Sequence, residues 1–169
     1  KPVASGCYQE NGQYRSEDAE CLWEAAGKPA DLLTVCPQQF EAPLAPPEAA
    51  RLEGRSVDDK LLRSGLEYWK QESDIVLVEG VGGLMSPLTD DEFVADLAYE
   101  FGFPVLVVVP NQLGVINQTL QTLITAVTFR DGIHVAGIIV NDCRSPESTD
   151  LSRETNRQAI SRHAVPPVL

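Results

Sequence analysis

Basic residues are scarce in this chain. Thirteen Lys and Arg stand against 25 Asp and Glu in 169 residues, a formal net charge of −12 with the two His neutral. This balance argues against a general binder of nucleic acid or anionic membrane, because both need Lys and Arg to offset phosphates. It leaves room for a local cationic pocket. Long apolar runs are also missing. The longest, Pro104 to Pro110, has strand length and falls far short of the ~18 residues of a membrane span. No charged-then-apolar leader opens the chain, so a cytoplasmic protein is expected. Cysteine is sparse: Cys7, Cys21, Cys36 and Cys143 form no C-x-x-C pair, and both His are distant in sequence. That spacing speaks against zinc and for reduced, small packed side chains.

What is present is enough for a core. Hydrophobic residues make up 43%, at a mean hydropathy of −0.11. Disorder is excluded on that fraction, and a single globular domain over residues 1–169 is expected. Tyr8 to Arg15 reads as a polar turn. Ser16 offers an N-cap for a short helix through Ala26, closed by Gly27 and Pro29. Pro43, Pro46 and Pro47 make residues 41–47 extended or turning. Ser56 with Asp59 resembles a capping box ahead of a helix carrying Leu61, Leu62, Gly65, Leu66 and Trp69.

From there the pattern is regular. Residues 74–78 hold a β-branched strand run, apolar enough to be buried on both faces. Glu92 to Phe101 is a helix with Phe93, Val94, Leu97 and Phe101 inward. Pro104 to Val109 is a second apolar strand. Gly114 to Phe129 is a helix with Ile116, Leu120, Leu123, Ile124 and Val127 as its stripe. Val135 to Val140 is a third strand, Thr149 to His163 a polar helix, and Pro166 to Leu169 the approach to another strand. Apolar strands alternating with helices predict an α/β fold around a mostly parallel sheet covered on both faces. In such sheets ligands bind beyond the carboxyl ends of the strands, so the residues just after each strand matter most.

Glu79-Gly80-Val81-Gly82-Gly83 follows the first of these strands. A carboxylate there needs a cation or hydrogen bonds, and the glycines let a ligand approach backbone N–H groups. Mg²⁺ held between Glu79 and nucleotide phosphates fits both features; a tight turn with Glu79 in a salt bridge fits them too. Residues 110–117 follow the second strand and open a helix, where N–H groups suit an anion; an ordinary loop capped by Asn111 or Asn117 is the alternative. Asn141-Asp142 follows the third strand and could pair with a planar ring such as adenine, or simply form a turn. Lys1 is a mobile cation suited to phosphates, and Ser5 can donate to an oxygen. Asp18 could complete a Mg²⁺ pair with Glu79, or serve as a first-turn acid favoured by the helix dipole.

Taken together, Lys1-Pro-Val-Ala-Ser-Gly6, Ser16-Glu-Asp18, Phe40-Glu-Ala-Pro43, Val78-Glu-Gly-Val-Gly-Gly83 with Pro87-Leu88, Leu113-Gly-Val-Ile-Asn117 and Gly137-Ile-Ile-Val-Asn-Asp142 resemble the dethiobiotin synthetase family. The resemblance implies a three-layer α/β/α fold of the P-loop NTPase type. It implies a homodimer and an ATP- and Mg²⁺-dependent ligase that converts 7,8-diaminononanoate and CO₂ or bicarbonate into dethiobiotin. Carried over by motif, Lys1 neutralises the carbamate and the transferring phosphoryl group. Ser5 and Gly82 meet the substrate, and Asp18 and Glu79 hold Mg²⁺. Glu79, Gly80, Val81 and Gly82 line ATP, Asn141 and Asp142 meet adenine, and Gly114, Val115 and Asn117 receive the substrate carboxylate across the dimer interface.

One departure is plain: no G-x-x-x-x-G-K-[ST] occurs in the chain. Lys1-Pro2 matches the end of the family's second strand. The chain is therefore expected to be an internal piece, lacking a strand, phosphate loop and helix before Lys1 and an adenine loop after Leu169. The lacking strand belongs inside the sheet, so unpaired strand edges and uncovered apolar faces are expected. A cobyrinate-type amide synthase and a non-catalytic interaction domain are the competing readings. The first would carry a glutaminase domain, of which there is no sign; the second would be expected to lose Lys1, Ser5, Asp18 and Glu79, which are all present.

Overall fold

Helices alternate with short parallel strand pairs, the α/β class that the sequence pattern predicts. The computed structural model describes residues 1–142 and 149–169; Cys143 lies outside them. The chain folds as two units, Lys1–Leu97 and Ala98–Leu169.

The first unit runs β1 (Val3–Ala4), β2 (Tyr8–Glu10), β3 (Gln13–Arg15), α1 (Glu17–Ala25), α2 (Leu32–Val35), β4 (Gln38–Gln39), α3 (Pro46–Leu52) and α4 (Asp59–Glu72). β1 pairs in parallel with β4, Val3 opposite Gln38. The pairing continues through Phe40 N–H to the Ala4 carbonyl, Cys7 N–H to the Phe40 carbonyl and Gly6 N–H to the Ala42 carbonyl. Beneath lies a core of Ala4, Cys7, Ala19, Leu32 and Cys36, with Tyr14, Trp23 and Val35 against it.

Three local expectations need correction here. The polar stretch 8–15 is an antiparallel hairpin, not a bare turn, because Asn11 and Gly12 both take positive φ (52° and 78°), the conformation a two-residue hairpin loop requires. Pro46 and Pro47 open α3; proline fits the first helical turn, where its missing N–H costs nothing. α4 is capped by Asp58, whose Oδ1 accepts from Leu61 N–H at 2.9 Å, and not by Ser56.

The largest correction concerns residues 74–78. They were expected to be a strand buried on both faces. Among the described residues no ladder forms on them, and Ile75 and Leu77 are each 82% exposed. A strand is held by its neighbours, and none of the described strands hydrogen-bonds to this segment.

α5 (Val94–Phe101) crosses from the first unit into the second, which continues with β5 (Val105–Pro110), α6 (Val115–Thr128), β6 (Val135–Asn141), a 3₁₀ turn (Leu151–Glu154) and α7 (Asn156–His163). β5 and β6 are parallel neighbours, Val107 opposite Ile138. Leu169 N–H donates to the Ile138 carbonyl, and Ile138 N–H to the Pro167 carbonyl, so the final residues do approach the sheet as a strand. Val107, Val109, Val115, Ile138 and Ile160 form the core. Full burial of Ile138 or Ile160 contributes roughly 1.5–3 kcal/mol each. The other face of β5 is bare: Leu106 and Val108 are exposed. The expected two-sided cover is thus present on one face only. The stripe of α6 is also rotated from expectation. Val115, Thr119 and Ala126 face the core, while Ile124 and Val127 are exposed. Thr119 is tolerated there because its hydroxyl donates to the Val115 carbonyl at 2.7 Å.

Candidate functional site

Lys1 stands two residues ahead of β1, the buried Val3–Ala4 strand. Its ammonium donates to Glu79 Oε1 at 2.6 Å, to the Gly80 carbonyl at 3.1 Å, and pairs with Asp18 Oδ2 at 2.8 Å. An ammonium has three N–H donors, and here each has an acceptor. That is why a lysine whose side chain is only 4% exposed can stay charged. Burial opposes the charge, but the bonds to Asp18 and Glu79 outweigh it and hold the Lys1 ammonium above its ordinary 10.5. Lys1 is therefore a pinned cation, where the sequence suggested a mobile one.

Each partner is placed by local structure. Ser16 Oγ caps α1 by accepting from Ala19 N–H at 3.3 Å. This sets Asp18 in the first turn, where the helix dipole favours an acid; Asp18 keeps 62% side-chain exposure. Glu79, 49% exposed, begins the glycine turn. That turn is tied to the start of α5 by Val94 N–H to the Ser86 carbonyl and Ala95 N–H to the Leu84 carbonyl, both under 3 Å (2.9 and 2.8 Å). Gly82 has φ +86°, and a Cβ on it would sit 2.3 Å from Ser86 Oγ. Both the backbone conformation and the space call for glycine there. Ser5 follows β1 directly and is half-buried; Val81 is half-buried and Gly82 exposed.

The structure thus brings Lys1, Asp18, Glu79 and Gly80 together within one unit. The salt-bridged turn left open as an alternative for Glu79 is present, and Lys1 is the partner. Two hard carboxylates close enough to share one ammonium also suit Mg²⁺, which takes one or two carboxylates and fills its shell with water and phosphate oxygens. Among the described residues no cluster of three or more His, Cys, Asp or Glu could cage a metal. The pair Asp18 and Glu79 would leave the remaining positions of such a cation to water and a ligand.

The remaining predicted residues lie in the second unit. Gly114 precedes α6, Asn117 is exposed on it, and the Val115 side chain is buried in the core. Val115 can offer a ligand only its backbone, and its N–H already donates to the Gln112 carbonyl at 3.2 Å. Leu113 N–H donates to Asp150 Oδ2 at 2.9 Å. Asn141 ends β6, its carbonyl accepting from Asn111 N–H at 2.7 Å, and Asp142 Oδ2 accepts from Arg153 Nη2 at 2.7 Å.

A family model described as an AAA domain matches residues 1–169. The ATP-dependent dethiobiotin synthetase BioD of Aromatoleum aromaticum is 37% identical over 100% of this chain and 73% of its own length. The chain belongs to the dethiobiotin synthetase family. Proteins of the same name from Rhodopirellula baltica and Anaeromyxobacter dehalogenans are 42% and 43% identical, over 96% and 86% of this chain. The chain spans 66% and 63% of those two relatives' own length.

For this dethiobiotin synthetase family member, sequence reasoning missed several residues that shape the site's surroundings. Gln38 is buried, accepting from Asp58 N–H at 2.8 Å and donating to the Asp58 carbonyl at 3.0 Å, so it holds the start of α4. Asp150, Arg153 and Asn156 tie the ends of β5 and β6 together. No periodic signal marks them, because a polar residue in a polar helix looks solvated whichever way it faces. No described helix is long and apolar enough to cross a membrane.

Proposed function

We propose that this chain carries the phosphoryl-transfer centre of a cytoplasmic, ATP-dependent dethiobiotin synthetase. The enzyme takes 7,8-diaminononanoate, CO₂ or bicarbonate and ATP, and gives dethiobiotin, ADP and phosphate. The observation that carries this reading is the convergence of Lys1, Asp18 and Glu79 on one point beside the glycine turn, from positions 78 residues apart at the extremes.

The chemistry suits these groups. One amine of the substrate takes up CO₂ as a carbamate. A carbamate oxygen attacks the γ-phosphorus and ADP leaves; the second amine then attacks the carbamoyl carbon, closing the cyclic urea as phosphate departs. Such transfers need positioning and charge neutralisation more than covalent help. Mg²⁺ held by Asp18 and Glu79 would neutralise the phosphates. With both carboxylates so engaged, the Lys1 ammonium is released to the carbamate and phosphoryl oxygens, whose negative charge takes the place of Asp18 and Glu79 as its counter-ion. Gly80, Val81 and Gly82 offer backbone to the phosphates, and Ser5 a hydroxyl to the substrate. Asn141 and Asp142 meet adenine, and Gly114, Val115 and Asn117 meet the substrate carboxylate of a second copy. A homodimer suits the outer face of α6, where Ile124 and Val127 are exposed, with Leu113 exposed just before the helix; apolar surface of that kind favours cover by another chain.

The test is ADP release by the natural full-length protein with Mg²⁺. Release should require both the diamine and bicarbonate. Release that ignores the diamine overturns the reading.

A further inference from the structure

At the carboxyl ends of β5 and β6 lies a polar network built on Asn111, Arg153 and Asn156, to which none of these roles is assigned. Asn156, the first residue of α7, is only 1% exposed, and a buried amide is tolerated only when its bonds are met. Its Nδ2 has two hydrogens and three acceptors in reach, Asn111 Oδ1 at 2.9 Å and the Gln112 carbonyl and Ser152 Oγ, both at 3.2 Å, so one N–H is shared. Asn111 is the hub. Its Nδ2 donates to the Arg153 carbonyl at 3.2 Å, and its backbone N–H to the Asn141 carbonyl at 2.7 Å. Arg153 donates onward to Asp142, while Asp150 accepts from Leu113 N–H and from the Ser152 N–H and hydroxyl.

Asn111 sits one residue past β5, and Asp142 one past β6. Ligands of open α/β sheets bind beyond such ends, yet loops there open easily unless something holds them. Here one buried amide touches the first loop directly and reaches the second strand end through Asn111 and Arg153. We infer that Asn156 is a positioning residue: its buried amide locks residues 111–113 to the end of β6 and so sets the spacing between the two ligand-facing strand ends. This rests on the proposed function, in which those ends meet the substrate carboxylate and adenine.

The experiment compares Asn156→Ala, Asn156→Asp, Asn111→Ala and the Asn156→Ala/Asn111→Ala double variant in the full-length protein. Asn156→Asp keeps the size and removes the donor, so it should share the defect of Asn156→Ala. Each single variant should raise KM for ATP and the diamine about tenfold with kcat little changed, and the double should be no worse than the worse single, since both break one contact. Amide exchange at Asn111 and Leu113 should quicken. A lowered melting temperature with unchanged KM values and unchanged exchange overturns the proposal, as does a wild-type-like Asn156→Asp. If the Asn156 variants do not fold, Asp150→Ala reports on the same lock through Leu113: faster exchange there with a raised diamine KM supports it, and neither change overturns it. A wild-type protein without diamine-dependent ADP release defeats the synthetase reading instead, while the exchange measurement, which needs no substrate, still decides the lock.

Discussion

Replacing Glu79 with Gln separates charge from shape. The variant keeps the size of the side chain and one carbonyl oxygen, so Lys1 Nζ, now 2.6 Å from Oε1, keeps an acceptor there. It also keeps Asp18 Oδ2 at 2.8 Å and the Gly80 carbonyl at 3.1 Å. One negative charge is lost. That carboxylate is 49% exposed, so water screens it, and the pair is worth at most about 1 kcal/mol to the fold. In a protein of this size such a loss moves the melting temperature by about 2–4 °C. The cost to catalysis is of another order if the carboxylate helps to neutralise transferring phosphate. Removing one such electrostatic group typically lowers kcat by about 10²–10³, or roughly 3–4 kcal/mol. Urea unfolding and ADP release with Mg²⁺ titrated would be measured on the same preparation. A large activity loss, partly recovered at high Mg²⁺, with a small stability loss is expected. Equal losses of about 3 kcal/mol in both would show that Glu79 mainly holds the fold, and unchanged kcat/KM would remove it from the site.

Two further outcomes follow from the geometry. Gly82→Ala forces a side chain into positive φ, costing about 1–2 kcal/mol, and places its Cβ against Ser86 Oγ. Adding Ser86→Gly should recover the contact part but not the backbone part in urea unfolding; full recovery would show that φ is not the constraint. Stability should also fall as pH rises. Burial pushes the Cys36 thiol up to about 12 from its usual 9.0, so the folded state stays protonated where the unfolded state ionises. Its contribution is complete below 9.0 and lost as pH climbs towards 12. The raised Lys1 acts in the same sense, but only above 10.5. Cys36→Ala should therefore flatten the decline between pH 9 and 10.5, and a wild-type protein of constant stability over that range would refute this.

The site was more legible in the sequence than the sheet around it. Ser16 as a cap, Asp18 in the first turn and the glycine turn after Glu79 are local features, and local chemistry places them. The motif order then names the three residues that meet. Burial of the strands was harder to read, because an apolar run states what a strand could bury and not what covers it. Residues 75–78 and 105–109 are both unbroken aliphatic runs, yet Val107 and Val109 are packed while Ile75 and Leu77 are exposed. The α6 stripe failed similarly. Thr119 satisfies its own hydroxyl within the helix, so it could replace an apolar residue at the core and turn Ile124 and Val127 outward. Asn156 is the extreme case: its burial is visible only through partners some 45 residues away.

The charge arrangement at Lys1 joins these points to function. The cation is buried and its three donors are met, while both anions are about half exposed or more. A fully buried triad would need strong compensation for removing every charge from water. Here only the ammonium is desolvated, and the carboxylates keep lone pairs towards solvent. A second cation can therefore approach them without opening the core, and Lys1 can leave them without stranding an anion away from water. Two carboxylates face one ammonium, and under the proposed function that excess negative charge would favour a divalent ion before any phosphate is present. On the proposed function, a chain of net charge −12 would meet an anionic nucleotide by exchanging this pinned ammonium for a metal and turning it to the substrate.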